Sequence, residues 1–274
     1  MLYDQKVTFI GSGAMGEAMI KGLLHQELIP ANCITASDPH IERGDELAKR
    51  YGLVFTTDNL DAVKNADVIV LSIKPQMMNK VLGQLKTHIK PEALIISIAA
   101  GVTIQRIVDN LLHPYVVRAM PNTPGQIGEG ITVWTSTPEV TQQQRTWTTA
   151  ILGAMGETLY VEDENYLDMA TALNGSGPSY VFLLMEALID VGVHMGFSRQ
   201  VSQKLVQQTM LGSVSYAIQS GLHPAELRNQ VTSPGGTSAA ALYELEKGSI
   251  RTVIADAVWA AYRRSSELGK NNTK

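Results

Sequence analysis

Cysteine is almost missing from this chain of 274 residues: Cys33 is the single one. One thiol excludes an intrachain disulfide and a multi-cysteine metal site. With no secretory pattern at the start, a cytoplasmic location is the expectation. An excess of positive charge is also missing. Lys and Arg number 22 against 26 Asp and Glu, a formal net charge of −4. There is then no global basic field to hold nucleic acid or an anionic membrane, and any anionic ligand must be held by local devices. Nor is there a long unbroken apolar run. The most apolar stretch, 180–197, is interrupted by Glu186, Asp190 and His194, which makes it a poor membrane span. The six histidines show no metal-ligand spacing such as His-Glu-x-x-His, and no Gly-x-Ser-x-Gly elbow is present, so no metal is expected. What remains is 45% hydrophobic residues, enough for a sizeable core, over a length that suits two domains.

The first half alternates short strands and helices. Strands are expected at Lys6–Ile10, Ile34–Ser37, Asp67–Ile73, Ala93–Ile98, Tyr115–Met120, Ile131–Thr135 and Glu157–Val161. Continuous apolar runs such as 67–73 and 93–98 suit a parallel sheet covered on both faces. Helical spacing falls between them at Ala14–Leu24, Met77–Leu85 and Thr103–Leu111. The pattern predicts an α/β fold, a Rossmann-type doubly wound sheet over residues 1–161. From Glu162 the texture changes to long segments of helical period. Helices are expected at Ser179–Gly196, Ser198–Ser220, Pro224–Val231, Ser238–Lys247 and Arg251–Leu268, an all-helical domain over 162–274.

Gly11-Ser12-Gly13-Ala14-Met15-Gly16 fits the spacing G-x-G-x-x-G between a strand and a helix. The first glycine allows the tight turn, the second lets backbone approach a pyrophosphate, and the third allows close helix–strand packing. Free N–H groups at the helix start then face the phosphates. Asp38 ends the second strand about twenty residues later, the place of a carboxylate that binds both ribose hydroxyls and repels a 2′-phosphate. The other reading of Asp38 is a loop cap. Arg43 is the nearest arginine beyond it. Ser72-Ile73-Lys74-Pro75 falls at a strand end, where the ligand crevice of an open sheet lies, with Pro75 placed to open a helix. Ala99, Ala100 and Gly101 end the next strand and leave room for a flat ring. Asn122 and Thr123, after the strand that follows, are placed to bond a nicotinamide carboxamide.

A second constellation lies in the helical half. Ser233-Pro234-Gly235-Gly236-Thr237-Ser238 precedes a clear helix, whose start offers unpaired N–H groups and a positive dipole end. The two glycines leave that backbone bare, and Thr237 and Ser238 add hydroxyls. That combination suits a small carboxylate; an ordinary capped helix is the alternative. Asn174-Gly175-Ser176-Gly177-Pro178 is either a second nest of N–H groups or a tight turn. Glu186, Asp190 and His194, spaced i, i+4, i+8, are read as a polar helix face rather than a metal site or proton relay.

Taken together, the runs GSGAMG, SIKP, SIAAGVT, MPNTP, NGSGPSY and above all SPGGT resemble pyrroline-5-carboxylate reductase over nearly the whole chain. The resemblance implies an oxidoreductase that uses NAD(P)H to reduce the cyclic imine 1-pyrroline-5-carboxylate to L-proline, the last step of proline biosynthesis. It implies a homodimer formed through the helical domain, with dimers that assemble further. It also implies that Ile10, Gly11, Ser12, Gly13, Ala14 and Met15 contact the pyrophosphate, Asp38 the adenosine ribose, and Asn59 the adenosine end. Ser72, Ile73, Lys74 and Pro75, with Ile98, Ala99 and Ala100, would line the cofactor crevice. Gly235, Gly236, Thr237 and Ser238 would hold the substrate, with Ser238 the candidate catalytic residue. Three departures from the family pattern stand out. Ser238 replaces the usual Thr, Asp38 stands where NADP-preferring members often carry Ser, Thr or Asn, and Gly221 stands where some members have Glu. Asp38 makes NADH the cofactor expected to serve at least as well as NADPH. The rival readings are a reductase of another cyclic imine, a β-hydroxyacid dehydrogenase-like enzyme and a nucleotide-sensing protein. The second needs a lysine in the helical half, where Lys204 is the only one between residues 91 and 246.

Overall fold

The computed structural model describes residues 2–271. The chain divides into two compact units, Met1–Pro178 with Ala261–Lys274, and Ser179–Ala260.

The first unit is built on an eight-stranded sheet. In chain order it runs β1 (Val7–Ile10), α1 (Ala14–His25), β2 (Ile34–Ser37), α2 (Ile41–Tyr51), β3 (Val54–Thr56), α3 (Asn59–Val63), β4 (Val68–Leu71), α4 (Met78–Leu85), β5 (Leu94–Ser97), α5 (Ile104–Leu111), β6 (Val116–Met120), β7 (Gly130–Ser136), α6 (Gln142–Gly153), β8 (Gly156–Tyr160) and α7 (Asn165–Ala170). The strand order is β3-β2-β1-β4-β5-β6-β7-β8. The first six strands are mutually parallel; β7 runs antiparallel to β6, and β8 parallel to β7. Alternate side chains feed two cores. Val7, Phe9, Val68, Val70, Leu94 and Ile96 pack on one face. Ile10, Ile69, Leu71, Ile95 and Val116 pack on the other. Full burial of a side chain of this size stabilises by about 1.5–3 kcal/mol, so central strands covered on both faces need no polar alternation.

All seven expected strands form, with no end shifted by more than two residues. Five further elements, the six-residue α7 among them, carry too little apolar signal to be read from the sequence. β3 is three residues long and α3 five. α2 is mostly charged and buries only Gly44 and Leu47. α6 is rich in Gln and Thr, and is started by a capping box between Thr141 and Gln144.

The compact division falls after Pro178, whereas the sequence places the boundary after Val161. The reason is a buried ion cluster. Arg118, on β6 and only 4% exposed, donates from Nη1 to Glu164 Oε1 at 2.8 Å and from Nη2 to Asp168 Oδ1 at 3.0 Å. Glu164 Oε1 also accepts from the Ile104 N–H at 2.8 Å. Asp168 Oδ1 also accepts from Ser265 Oγ at 2.9 Å. A guanidinium that deep must be paired. Its partners therefore hold α7 and the end of the last helix on the sheet unit.

The second unit comprises helices alone among the described residues: most of α8 (Gly177–His194), then α9 (Arg199–Ser220), α10 (Pro224–Gln230), α11 (Thr237–Lys247) and the first part of α12 (Ile250–Asn271). α8 meets α9 where Gly192 lies against Ser202, with a built Cβ only 2.7 Å from its Oγ. Asp190 accepts from Arg199 Nη1 at 3.0 Å, an ion pair that accounts for one member of the polar stripe on α8. Large apolar side chains of α8 are uncovered within the chain: Phe182, Leu183, Leu188 and Val191 are all exposed. By length and composition alone the helical stretch 165–194 could cross a bilayer.

Candidate active site

Because β1 to β6 are parallel, their carboxyl ends lie along one edge of the sheet. The chain winds from β1 outward to β2 and β3, then returns past β1 to β4. This reversal opens a crevice between the ends of β1 and β4. A cleft of about 510 Å³ opens here. Ile10, Gly11 and Gly13 line it, with Asp38 from the end of β2, Asn59 from the start of α3, and Ser72, Ile73 and Lys74 from the end of β4.

The turn after β1 is held open from both sides. Ser72 Oγ donates to the Gly11 carbonyl at 2.6 Å, and the Ser72 N–H donates to the Ile10 carbonyl at 3.0 Å. Gly11 has φ +90°, and a Cβ there would lie 2.7 Å from Ile73 Cγ2 and 2.8 Å from the Ser72 carbonyl oxygen. Gly13 differs: it is exposed, has φ −66°, and a Cβ built on it meets nothing within 4 Å. Gly13 caps α1 with no side-chain cap, so the first N–H groups of that helix are offered to a ligand. A cradle left open at Gly13 and closed beneath Gly11 fits a dinucleotide pyrophosphate. Ser12 takes a different part from the one expected. It is fully buried, and both its N–H and its Oγ donate to Asp38 Oδ2 at 3.0 Å. It clamps the loop to β2, and its N–H is spent there.

Asp38 Oδ1 accepts from the His40 N–H at 3.1 Å and lies 2.8 Å from His40 Nδ1. Burial pushes the Asp38 carboxyl up. Bonds from the backbone and side chains of Ser12 and His40 outweigh that and hold it below the ordinary carboxylate value. The clamp is thus complete at neutral pH and is lost only as pH falls below the usual carboxylate range. On the other flank of Ser12, its carbonyl accepts from Arg43 Nε at 3.1 Å. The two ends of the same guanidinium reach Glu17 on α1 and Glu46 on α2. Glu17 also accepts from Arg50 at 2.7 Å and from the Tyr51 hydroxyl at 2.9 Å. Burial raises the Glu17 carboxyl, but bonds from Arg43 and Tyr51 outweigh it and keep it ionised.

The far wall of the cleft escaped the sequence. Leu60, Met77 and Val81 form an apolar side, and Lys80 and Gln84 stand beside them. That wall suits a flat base, with Asn59 held at its edge by Ser37 Oγ at 2.7 Å. Helical period is legible over 77–85, but which face meets the cleft depends on α4 docking beside α3. Pro75, in a short 3-10 turn ahead of α4, opens that segment as expected. At the other end, Ile98, Ala99 and Ala100 follow β5, and Asn122 and Thr123 follow β6, on the same sheet edge but outside the cleft lining. Asn122 Oδ1 accepts from the Ile131 N–H at 3.0 Å, and Asn174 Nδ2 donates to the Ile131 and Met120 carbonyls. The two asparagines extend the β6–β7 ladder past its end. The oxygen of Asn122 is therefore committed to the fold.

In the helical unit, Gly235 has φ +72° and the Gly236 N–H bonds the Ser233 carbonyl at 3.0 Å. A Cβ on Gly236 would lie 2.6 Å from Ser233 Oγ. This tight turn makes Gly236 the N-cap of α11, with no side-chain cap on the helix start. Thr237 is exposed and Ser238 half-buried, in the first turn. The residues expected to hold a carboxylate thus sit where unpaired N–H groups and hydroxyls occur together. Lys204 is exposed on α9 among Gln200, Gln203, Gln207 and Gln208.

Residues 164–268 match the family described as pyrroline-5-carboxylate reductase dimerisation, and residues 6–101 match the family of coenzyme F420-dependent NADP oxidoreductases. The chain is 41% identical to the pyrroline-5-carboxylate reductase of Synechocystis over 95% of its length and 97% of that protein's. It is 40% identical to that of Pseudomonas aeruginosa, covering 97% of each. Among solved structures, the Coxiella burnetii pyrroline-5-carboxylate reductase superposes with a TM-score of 0.89 at 34% identity, covering 96% of this chain and 98% of that one. The Plasmodium falciparum pyrroline carboxylate reductase, solved with NADP bound, gives 0.88 at 32% identity, covering 97% and 98%.

The two loop glycines separate folding from binding. Gly11→Ala is expected to lower the unfolding temperature, because its Cβ overlaps Ile73 and Ser72. Gly13→Ala is expected to leave the unfolding temperature unchanged and to weaken dinucleotide binding by about tenfold or more, roughly 1.4 kcal/mol. Calorimetric titration with NADH and NADPH measures it. Unchanged affinity for both in Gly13→Ala would mean that this loop does not cradle the phosphates.

Proposed function

The chain belongs to the pyrroline-5-carboxylate reductase family, and from that premise we infer that it reduces 1-pyrroline-5-carboxylate to L-proline with NAD(P)H, the last step of proline biosynthesis. One observation carries the reading. A single chain joins a dinucleotide-shaped cleft at the reversal of a parallel sheet to a glycine-bared helix start in a matched helical segment. The exposed, glutamine-flanked Lys204 disfavours a β-hydroxyacid dehydrogenase-like site.

A bound reduced nicotinamide supplies the hydride. The chain's own residues bind and orient. The N–H groups at the start of α1 hold the pyrophosphate. Asp38 takes the ribose hydroxyls, with Asn59 at the base. Ser72, Ile73 and Lys74 shape the crevice wall with Pro75 next in the chain, and Ile98 to Ala100 and Thr123 stand further along the same sheet edge, on the nicotinamide side. In the helical unit, the bare N–H groups after Gly235 and Gly236 take the substrate carboxylate, aided by the dipole of α11. Thr237 and Ser238 complete that grip. A protonated ring imine is already a good electrophile: hydride adds to its carbon, and the π pair moves onto nitrogen. No strong protein acid is required, so the protein contributes proximity and electrostatics. The lone thiol suits a reducing, cytoplasmic setting.

NADH is the cofactor that Asp38 favours at least equally. A carboxylate held ionised at the end of β2 meets a 2′-phosphate with like charge, although the Plasmodium falciparum relative was solved with NADP. Oxidation of NADH and NADPH with 1-pyrroline-5-carboxylate tests both points. Turnover is expected with each, at no lower kcat/KM for NADH. Asp38→Ser should raise the NADPH-to-NADH ratio. No turnover with either cofactor overturns the activity, and an unchanged ratio overturns the role of Asp38.

The helical unit is the dimerisation half. The uncovered Phe182, Leu183, Leu188 and Val191 on α8 need a partner, and a homodimer is the commonest closed solution. Light scattering is expected to find a dimer or an assembly of dimers; a stable, active monomer would end this reading.

Ser238 is the substrate hydroxyl. Ser238→Ala is expected to raise KM for the imine or lower kcat by roughly one to two orders of magnitude, with cofactor affinity barely changed. Ser238→Thr keeps the hydroxyl and should be tolerated. Normal imine kinetics with weakened NADH binding in Ser238→Ala would assign this turn to the cofactor instead.

A further inference from the structure

Asp38 is one of two charged groups that grip the same loop residue. Ser12 gives its N–H and hydroxyl to Asp38 and its carbonyl to Arg43 Nε at 3.1 Å. This guanidinium is bonded to the middle residue of Gly-Ser-Gly, beside the phosphate turn, and a nearby arginine is the kind of cation that takes a 2′-phosphate in this fold. Its fork faces elsewhere. One terminal nitrogen bonds Glu17 Oε2, and the other bonds Glu46 Oε2 at 2.9 Å. Glu17 is the anchor. It is rooted on α1, its side chain is only 19% exposed, and Arg50 and Tyr51 hold its second oxygen. Glu46, at 45% exposure and three residues along the same helix as Arg43, is the weaker hold.

We propose that Glu17 is a specificity-determining residue: by holding the Arg43 fork on α1, it withholds from a 2′-phosphate the one arginine that touches the phosphate loop. Asp38 repels NADPH, and Glu17 removes the cation that would compensate. This rests on the assignment of the cleft to a nicotinamide dinucleotide. It is independent of whether Asp38 itself reads the ribose.

Arginine pairs bidentately with phosphate as well as with carboxylate, so the two compete for one fork. Glu17→Gln keeps the shape and removes the charge. In the Asp38→Ser background, Glu17→Gln is expected to raise the NADPH-to-NADH ratio of kcat/KM by about a further tenfold, the size of one bond to a charged group. NADH kinetics should stay within about twofold, because the mutation removes no group that bonds the loop or the ligand. Adding Arg43→Gln should abolish the increment. Calorimetric titration of the same proteins with 2′,5′-ADP and 5′-AMP reads the effect without turnover; only 2′,5′-ADP should gain.

The outcomes are distinct. An increment that survives Arg43→Gln is plain loss of negative charge and overturns the proposal. So does no increment in a folded Glu17→Gln protein. If Glu17→Gln unfolds, Glu17→Asp is used: it keeps the charge but shortens the reach to Arg43, and no Arg43-dependent gain in 2′,5′-ADP affinity overturns the proposal equally. If Asp38→Ser leaves the ratio unchanged while Glu17→Gln raises it through Arg43, the proposal stands and the Asp38 reading fails. If neither adenosine nucleotide binds any variant or the parent, the cleft assignment itself fails, and the proposal with it.

Discussion

The grip of Asp38 on Ser12 is the contact on which the cofactor end depends. A Gly-rich turn binds phosphate only if its backbone is already arranged, because ordering it at the moment of binding would consume affinity. Here the carboxylate at the end of β2 takes the N–H and hydroxyl of the middle residue, while Ser72 at the end of β4 takes the carbonyl of Gly11. Three parallel strand ends therefore define one turn. The same carboxylate is the one to which we assign the choice between ribose and 2′-phosphate, so loop order and the proposed cofactor choice meet in one side chain.

The sheet unit extends beyond its last strand for an equally local reason. Arg118 points from β6 into a site where it is 4% exposed, and Glu164 and Asp168 pair with its two terminal nitrogens. Removing one partner of such a cluster costs far more than the cluster contributes over an apolar equivalent. The cluster therefore specifies where α7 and the end of α12 lie, more than it stabilises the fold. Just past α7, Asn174 in a π turn and Asn122 after β6 hold the two sides of Ile131. The end of β6 is thus fixed by side chains after the ladder has run out.

The helical unit follows a different economy. Its helices offer each other small contacts, such as Gly192 against Ser202, and leave large apolar side chains on α8 uncovered. At α11 the constraint is steric. Gly236 lies against Ser233, where a Cβ would have to displace the Ser233 hydroxyl, and the helix start carries no side-chain cap.

Much of this was legible in the sequence because it follows from short-range rules. Apolar runs of strand length give the central strands, since burial on both faces demands them. The spacing of Gly11, Gly13 and Gly16 and the run from Ser233 to Ser238 mark the two helix starts, because backbone bareness has only one residue type to make it. Long-range pairing decided the rest. Nothing local to Ser12 says that its N–H is spent on a carboxylate twenty-six residues away, or that Asn122 is committed to Ile131. Arg43 lies in a charged helix whose only apolar signal is weak, and its ties to Ser12 and Glu17 exist only once α1 and α2 pack beside β1 and β2. Leu60, Met77 and Val81 become one wall of the cleft only when α3 and α4 meet at the sheet edge. Strand and helix periodicity encode what each segment buries; they do not encode which polar groups the packed elements bring within bonding distance.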